Sequence, residues 1–216
     1  MSHSLPGLTS LEARILGVLV EKEKTTPDVY PLTVNSLAAG CNQKTSRDPV
    51  MNVSESEIQG ALEALRERLL VLETYGASGR VLRYAQNFGK SYDLPSPSVA
   101  LLAILMLRGP QTVSELRANC ERLYRFEDAS SVDAYLEELA VRGSGPLAIK
   151  LPKQPGSREH RWAHLLCGMS GLTVEQTNVR QERSRNDGAL EERIDWLERE
   201  VTELRTMIQE MASKPH

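Results

Sequence analysis

Ser54-Glu55-Ser56-Glu57, an apolar stripe of Ile58, Leu62, Leu65 and Leu69, and then Val71-Leu72-Glu73-Thr74-Tyr75 and Val81-Leu82-Arg83-Tyr84-Ala85 around Gly76-Ala77-Ser78-Gly79-Arg80 decide the fold. Ser54 and Glu57 form a capping box, in which the hydroxyl and the carboxylate satisfy free amides at a helix start. The stripe predicts one buried helix face. The period then changes to β-rich runs either side of a Gly-containing turn, which predicts a hairpin. Toward the N-terminus, Thr9-Ser10-Leu11-Glu12 is a second capping box, and Leu11, Ile15, Val18 and Leu19 share a helix face. A short helix is expected over 33–39, with Gly40 as its left-handed cap. Three helices followed by a two-stranded hairpin are the order of a winged helix, a helix-turn-helix variant.

The order then recurs. Leu94-Pro95-Ser96-Pro97 breaks the chain, 99–107 reads as a buried helix ended by Arg108-Gly109-Pro110, and Thr112-Val113-Ser114-Glu115 is a third capping box. Ser130 or Ser131 is the expected cap of a helix carrying Val132, Tyr135, Leu136 and Leu139. Segments 147–151 and 160–166 form a second hairpin through Pro152-Lys153-Gln154-Pro155-Gly156-Ser157. Thr33 to Thr112 spans 79 positions, and Arg83-Tyr84-Ala85 to Arg161-Trp162-Ala163 spans 78, which argues for two copies of one unit. The expected class is mainly α with small β-hairpins (α+β): two tandem winged-helix domains at 1–93 and 94–168, a flexible polar linker at 169–189, and a C-terminal coiled-coil helix at 190–212. In that helix Leu190, Ile194, Leu197, Val201, Leu204, Ile208 and Met211 fall at a and d heptad positions. They are the candidate dimerisation residues of a parallel homodimer; the alternative is a helix folded back on its own domain.

The 216 residues are 40% apolar, 25% charged and 5% aromatic, which excludes global disorder. A net charge of −3 gives no overall field toward nucleic acid or an anionic membrane. No apolar run approaches the roughly 20 residues of a membrane span, and a cytoplasmic protein is expected. Cys41, Cys120 and Cys167 are odd in number and far apart, so free thiols are expected rather than disulfides or a metal site, and no cofactor is expected. Phosphate-loop, dinucleotide, nucleophile-elbow and zinc-protease motifs are lacking, and the expectation is a non-enzymatic binding protein. His160, Trp162 and His164 share one strand face, which alternation explains without chemistry.

The candidate DNA-binding residues are the cations of the wings and of one loop. The second hairpin carries Lys150, Lys153, Arg158 and Arg161 against Glu159, a local charge of +3; the first adds Arg80 and Arg83, and the loop adds Lys44 and Arg47. That composition suits phosphate contact. In the second hairpin Trp162 is expected in the core and Arg161 outward with the turn cations. The helices before the hairpins argue the other way, since the faces opposite their stripes hold Ser56, Gly60, Glu63 and Glu67, and Ser130, Ala134, Glu137 and Val141. Carboxylates there disfavour insertion into a major groove.

The words of the sequence also resemble a known family. Thr26-Pro27-Asp28-Val29-Tyr30-Pro31-Leu32-Thr33, Cys41-Asn42-Gln43-Lys44-Thr45-Ser46-Arg47-Asp48-Pro49-Val50 and Arg161-Trp162-Ala163-His164-Leu165 are similar to the YceH family of uncharacterised bacterial proteins, over about 8–167. The resemblance implies two winged helices and a cytoplasmic bacterial protein, and no activity. The loop from Asn42 to Pro49 reads either as a rigid element with Arg47 paired to a carboxylate or as a ligand site. Two functions remain open: duplex DNA binding of transcription-regulator type through basic wings, or a scaffold whose winged helices bind a protein partner. The scaffold reading is similar in architecture to accessory subunits of bacterial chromosome-organising complexes.

Overall fold

The computed structural model describes residues 7–75, 79, 81–153 and 157–168. Helix α1, Ser10–Thr25, starts on the expected box: Thr9 Oγ1 accepts from the Glu12 amide at 3.2 Å, and Thr9 N donates to Glu12 Oε2 at 2.8 Å. Helix α2, Val34–Cys41, is capped by Thr33, and α3, Glu55–Glu67, by the Ser54–Glu57 box. Strands β1, Val71–Tyr75, and β2, Leu82–Gln86, pair antiparallel with Val71 opposite Gln86 and Tyr75 opposite Leu82. A short helix α4, Phe88–Ser91, leads into α5, Ser96–Arg108. Helices α6, Val113–Cys120, and α7, Ala129–Ala140, precede β3, Ala148–Lys150, and β4, Trp162–His164, which pair antiparallel. The class is α+β, and the order of three helices and a hairpin occurs twice.

Several local expectations are corrected. Gly40 lies within α2, and its role is close approach: a Cβ there would sit 2.7 Å from Val18 Cγ1 on α1. Leu69 leaves the α3 stripe, with φ of 58° and 65% of its surface exposed, because the helix ends before it. Helix α7 is capped by Asp128, whose Oδ1 accepts from the Ser131 amide at 2.8 Å, rather than by Ser130 or Ser131. Helix α5 begins three residues earlier than the sequence implied, with Pro97 in its first turn, where a missing N–H costs nothing. The stripes Ile58, Leu62, Leu65 and Val132, Leu136, Leu139 are buried as expected, and Glu63, Glu67, Glu137 and Val141 face outward.

The two halves share one compact unit that holds all the described residues. Helix α1 packs on α2, α3 and β2 in its own half and on α5 of the other. Every residue from Glu12 to Val20 is buried, although the sequence marks only one apolar stripe there. Gly17 is the point of closest approach, since a Cβ at that position would lie 2.9 Å from Leu107 Cγ and 3.3 Å from the Ala103 carbonyl. Four polar links cross the same seam. Asp48 N donates to Leu107 O at 2.8 Å, Arg108 Nη2 to Ser46 Oγ at 2.8 Å, Leu8 N to Leu166 O at 2.7 Å, and Arg142 Nη2 to Tyr92 O at 2.8 Å.

Gly17→Val should lower stability by roughly 1–3 kcal/mol, because the added methyls meet Leu107 and backbone rather than space. Urea unfolding checks this, and a midpoint equal to wild type would show that the helices part without cost.

Candidate functional site

The tripeptides Arg83-Tyr84-Ala85 and Arg161-Trp162-Ala163 have a structural explanation. Leu32 and Tyr84 exchange both backbone hydrogen bonds, at 3.0 and 2.7 Å, and so do Gln111 and Trp162. Each hairpin thus gains a one-residue third strand beside β2 or β4. The preceding arginines hold that strand: Arg83 Nη1 donates to Pro31 O at 2.7 Å, and Arg161 Nη1 to Pro110 O at 3.0 Å and to Glu115 Oε2 at 3.0 Å. The pattern was visible as Pro31-Leu32-Thr33 and Pro110-Gln111-Thr112, 79 positions apart, but neither segment is long enough to read as a strand.

The eight candidate cations consequently do not form one surface. Arg47 is buried and spends all five N–H donors internally: Nε on Gly40 O, Nη1 on Ser46 O and Glu21 Oε1, and Nη2 on Gln43 Oε1 and, at 2.6 Å, on Glu21 Oε2. It is a clamp inside the loop, and its expected place on a binding surface is corrected. Arg83 and Arg161 are half-buried fold clamps, so the outward placement expected for Arg161 is corrected too. Lys150 lies 3.0 Å from Glu137 and 3.8 Å from Asp133 on α7, with its ammonium 5.1 Å from the centre of the Trp162 ring. Lys44, Lys153 and Arg158 are exposed and form no ion pair among the described residues. Arg80 lies outside the described residues, as do Leu190, Ile194, Leu197, Val201, Leu204, Ile208 and Met211 with the whole linker and heptad segment.

The +3 charge read from the second hairpin is therefore partly offset in three dimensions. Two of its four cations meet carboxylates from other elements, Arg161 meeting Glu115 and Lys150 meeting Asp133 and Glu137, while Lys153 and Arg158 form no ion pair among the described residues. A second helix-to-wing pair closes the first half, where Arg66 on α3 reaches Glu73 on β1 at 3.3 Å.

The Asn42–Pro49 loop takes the rigid form. Asn42 Oδ1 accepts from Val53 N and Asn42 Nδ2 donates to Val53 O, both at 2.8 Å, pinning the two ends of the loop together. Arg14 on α1, fully buried, donates from Nη2 to Pro49 O at 2.7 Å and from Nη1 to Cys41 O at 3.4 Å. Burial and the neighbouring Arg47 bring the Arg14 pKa down to about 10. Of these two buried guanidiniums, Arg47 is ion-paired to Glu21, whereas Arg14 is held by backbone carbonyls, with its Nε left without a hydrogen-bond partner. Burial also pushes the Cys41 and Cys120 thiols up to about 12, so they stay protonated.

On β4, Trp162 is fully buried as expected, and its Nε1 and the Nδ1 of His164 have no hydrogen-bond partner. Burial lowers the His164 pKa to about 4, so the ring is neutral, while His160 is exposed beside Leu151 O at 3.0 Å. Among the described residues no group of three or more His, Cys, Asp or Glu side chains could hold a metal ion, and no helix is long and apolar enough to cross a membrane.

Residues 8–157 match a family model described as a protein of unknown function, DUF480. The chain belongs to this family. Relatives named "UPF0502 protein" are 52% identical in Acidovorax sp. (strain JS42), over 96% of this chain and 93% of the relative, and 51% identical in Dechloromonas aromatica (strain RCB), over 97% and 98%. A third, from Burkholderia cenocepacia, is 49% identical over 98% of this chain and 91% of its own length. The DUF480 match spans the loop clamp, both helix-to-wing pairs and β3 of the second hairpin, and ends before β4.

Two expectations follow. Arg47→Met should cost about 3–5 kcal/mol, because Glu21 and three other acceptors, Gly40 O, Ser46 O and Gln43 Oε1, lose their donor in a buried setting, whereas Lys153→Ala should change stability by less than about 0.5 kcal/mol. Chemical denaturation of both variants separates a clamp from a surface charge. For His164, the folded pKa of about 4 lies below the ordinary 6.5, so the unfolded chain takes up a proton that the folded chain refuses as pH falls from 6.5 to 4. Wild type should lose up to about 3 kcal/mol relative to His164→Phe over that window. A difference that stays constant with pH contradicts the assignment.

Proposed function

We propose that this protein is a non-catalytic adaptor made of two fused winged-helix units, and that it binds a protein partner through the first wing. The observation that carries this reading is a group of exposed apolar side chains on that wing, on both faces of its sheet. Leu72, Tyr75 and Val81 are 46%, 69% and 48% exposed, with Leu69 beside them at the turn between α3 and β1. Exposed apolar side chains gathered on one feature mark interaction surfaces, whereas scattered ones need no explanation. The outward face of α3 beside them carries Glu63 and Glu67, which suits a partner with basic residues around an apolar centre and repels a phosphate backbone. The heptad run at Leu190, Ile194, Leu197, Val201, Leu204, Ile208 and Met211 adds the proposal that two copies pair through a parallel coiled coil and present two such wings.

DNA binding of transcription-regulator type is the second reading, favoured by Lys44, Lys153 and Arg158, which are exposed and form no ion pair among the described residues. A photo-crosslinking side chain placed at Tyr75 should give one discrete protein adduct in the producing cells, and the same group at Lys153 should not. Duplex DNA should bind no tighter than the roughly 10⁻⁴ to 10⁻⁶ M of non-specific association at physiological salt. Tight duplex binding that Lys153→Ala and Arg158→Ala abolish, with no adduct at position 75, would replace the adaptor reading by the regulator reading.

A further inference from the structure

We propose that the cleft at the junction of the two halves binds a small amphipathic anion, a single carboxylate or phosphate on a compact apolar body. The cleft has a volume of about 290 Å³, at the lower end of the roughly 300–1,000 Å³ of small-molecule sites. Its walls come from the C-terminal half of α1, from Leu72 on β1, from 86–90 around α4, from the start of α5, and from Leu123 after α6. Leu72, Leu94, Val99 and Leu123 converge there and none of them is buried, so an apolar body laid against them hides surface that the protein leaves wet.

The polar groups of the lining decide the sign of the ligand. Gln86 Nε2 already donates to Glu23 Oε2 at 3.0 Å, and Gln86 Oε1 accepts from Gly89 N at 3.4 Å. Asn87 Nδ2 donates to Leu69 O at 2.8 Å and to Ser91 Oγ at 3.1 Å. Among the described residues, the lining groups left without a hydrogen bond or ion pair include the ammonium of Lys24, the ammonium of Lys90 and the hydroxyl of Ser96. Two cations from different elements, α1 and α4, thus stand over an apolar floor, and the single carboxylate of the lining, Glu23, is engaged by Gln86. An anionic head between the two lysines with an apolar tail on the floor satisfies both halves of the cleft; a cation meets two like charges, and a purely polar anion leaves the floor exposed.

The ligand would touch both halves and the 87–99 connection at once, so the site is placed to sense or fix their packing. Leu72 belongs to both surfaces, but the lysines and the other walls of the cleft do not enter the protein-partner argument, so the anion site stands or falls apart from it.

Calorimetric titration of the full chain with octanoate and octyl phosphate, against octylammonium and acetate, tests the proposal. At least one of the two anionic amphiphiles should bind, at least about tenfold more tightly than either control; the one that binds better identifies the head group. Lys24→Ala with Lys90→Ala should weaken that binding by about tenfold or more, since a contact to a charged group accounts for about that factor. Both lysines are exposed and form no ion pair among the described residues, so the double variant should unfold at the wild-type temperature. Failure of both amphiphiles to bind at millimolar concentration, equal binding of octylammonium, or undiminished affinity in the folded double variant would each overturn the assignment.

Discussion

Nine consecutive residues of the first helix, Glu12 to Val20, are hidden from solvent, and the rest of the structure follows from that burial. A helix on the surface of a small domain keeps one face wet, and its sequence shows a stripe. Helix α1 has no wet face over this stretch because α2 and α3 cover one side and α5 covers another. Burying Ile15, Leu16, Val18, Leu19 and Val20 at about 1.5–3 kcal/mol each contributes on the order of 10 kcal/mol. That is comparable to the whole net stability of a typical domain, about 5–15 kcal/mol. Separating the halves would expose a large share of it, so the two helix–helix–helix–hairpin units depend on each other and behave as one folded body.

Full enclosure of α1 also forces charge into the interior. Arg14 sits in the first turn of the enclosed stretch, and a buried guanidinium must be hydrogen-bonded or it costs several kcal/mol. The end of α2 and the loop after it supply the acceptors, Cys41 O and Pro49 O, and bring Arg47 with them; Glu21, the residue that follows the sealed stretch, then neutralises Arg47. The specific wording of the loop follows. Asn42 closes its base, Gln43 and Ser46 accept from Arg47, and Asp48 donates its amide across the seam to Leu107. A segment that reads as polar and ligand-like in one dimension is a plug that bonds all of Arg47 and both terminal nitrogens of Arg14, leaving Arg14 Nε unbonded.

The sequence carried the local signals well and the tertiary ones poorly. Capping boxes at Thr9, Ser54 and Thr112 are short-range hydrogen-bond patterns, so three helix starts were legible. The stripes on α3 and α7 were legible for the same reason, since each helix has one wet face. Gly40 was misread because a glycine near a helix end has two uses, a positive φ or close approach, and only the position of Val18 distinguishes them. The cations were misread because net charge along a hairpin ignores carboxylates that arrive from other elements, as Glu115, Asp133 and Glu137 do. The cleft had no sequence signal at all, since its walls are drawn from five separated segments.

Comparison of the two halves with each other sharpens what each position is for. Where both halves keep the same residue in the same role, as with Arg83 and Arg161 on a proline carbonyl, the role is to hold the one-residue strand beside the hairpin. The helix-to-wing pairs behave differently. Glu73 lies opposite Tyr84 in its sheet and Lys150 opposite Trp162 in the other, so the two occupy equivalent sites on the wing. Their charges are opposite, and their partners are reversed to match: Arg66 answers Glu73, while Glu137 and Asp133 answer Lys150. A site that contacted phosphate would require one sign in both halves. What is common to the two is the link between helix and wing, not the charge that makes it, and that places the constraint on the geometry of the wing rather than on an electrostatic surface.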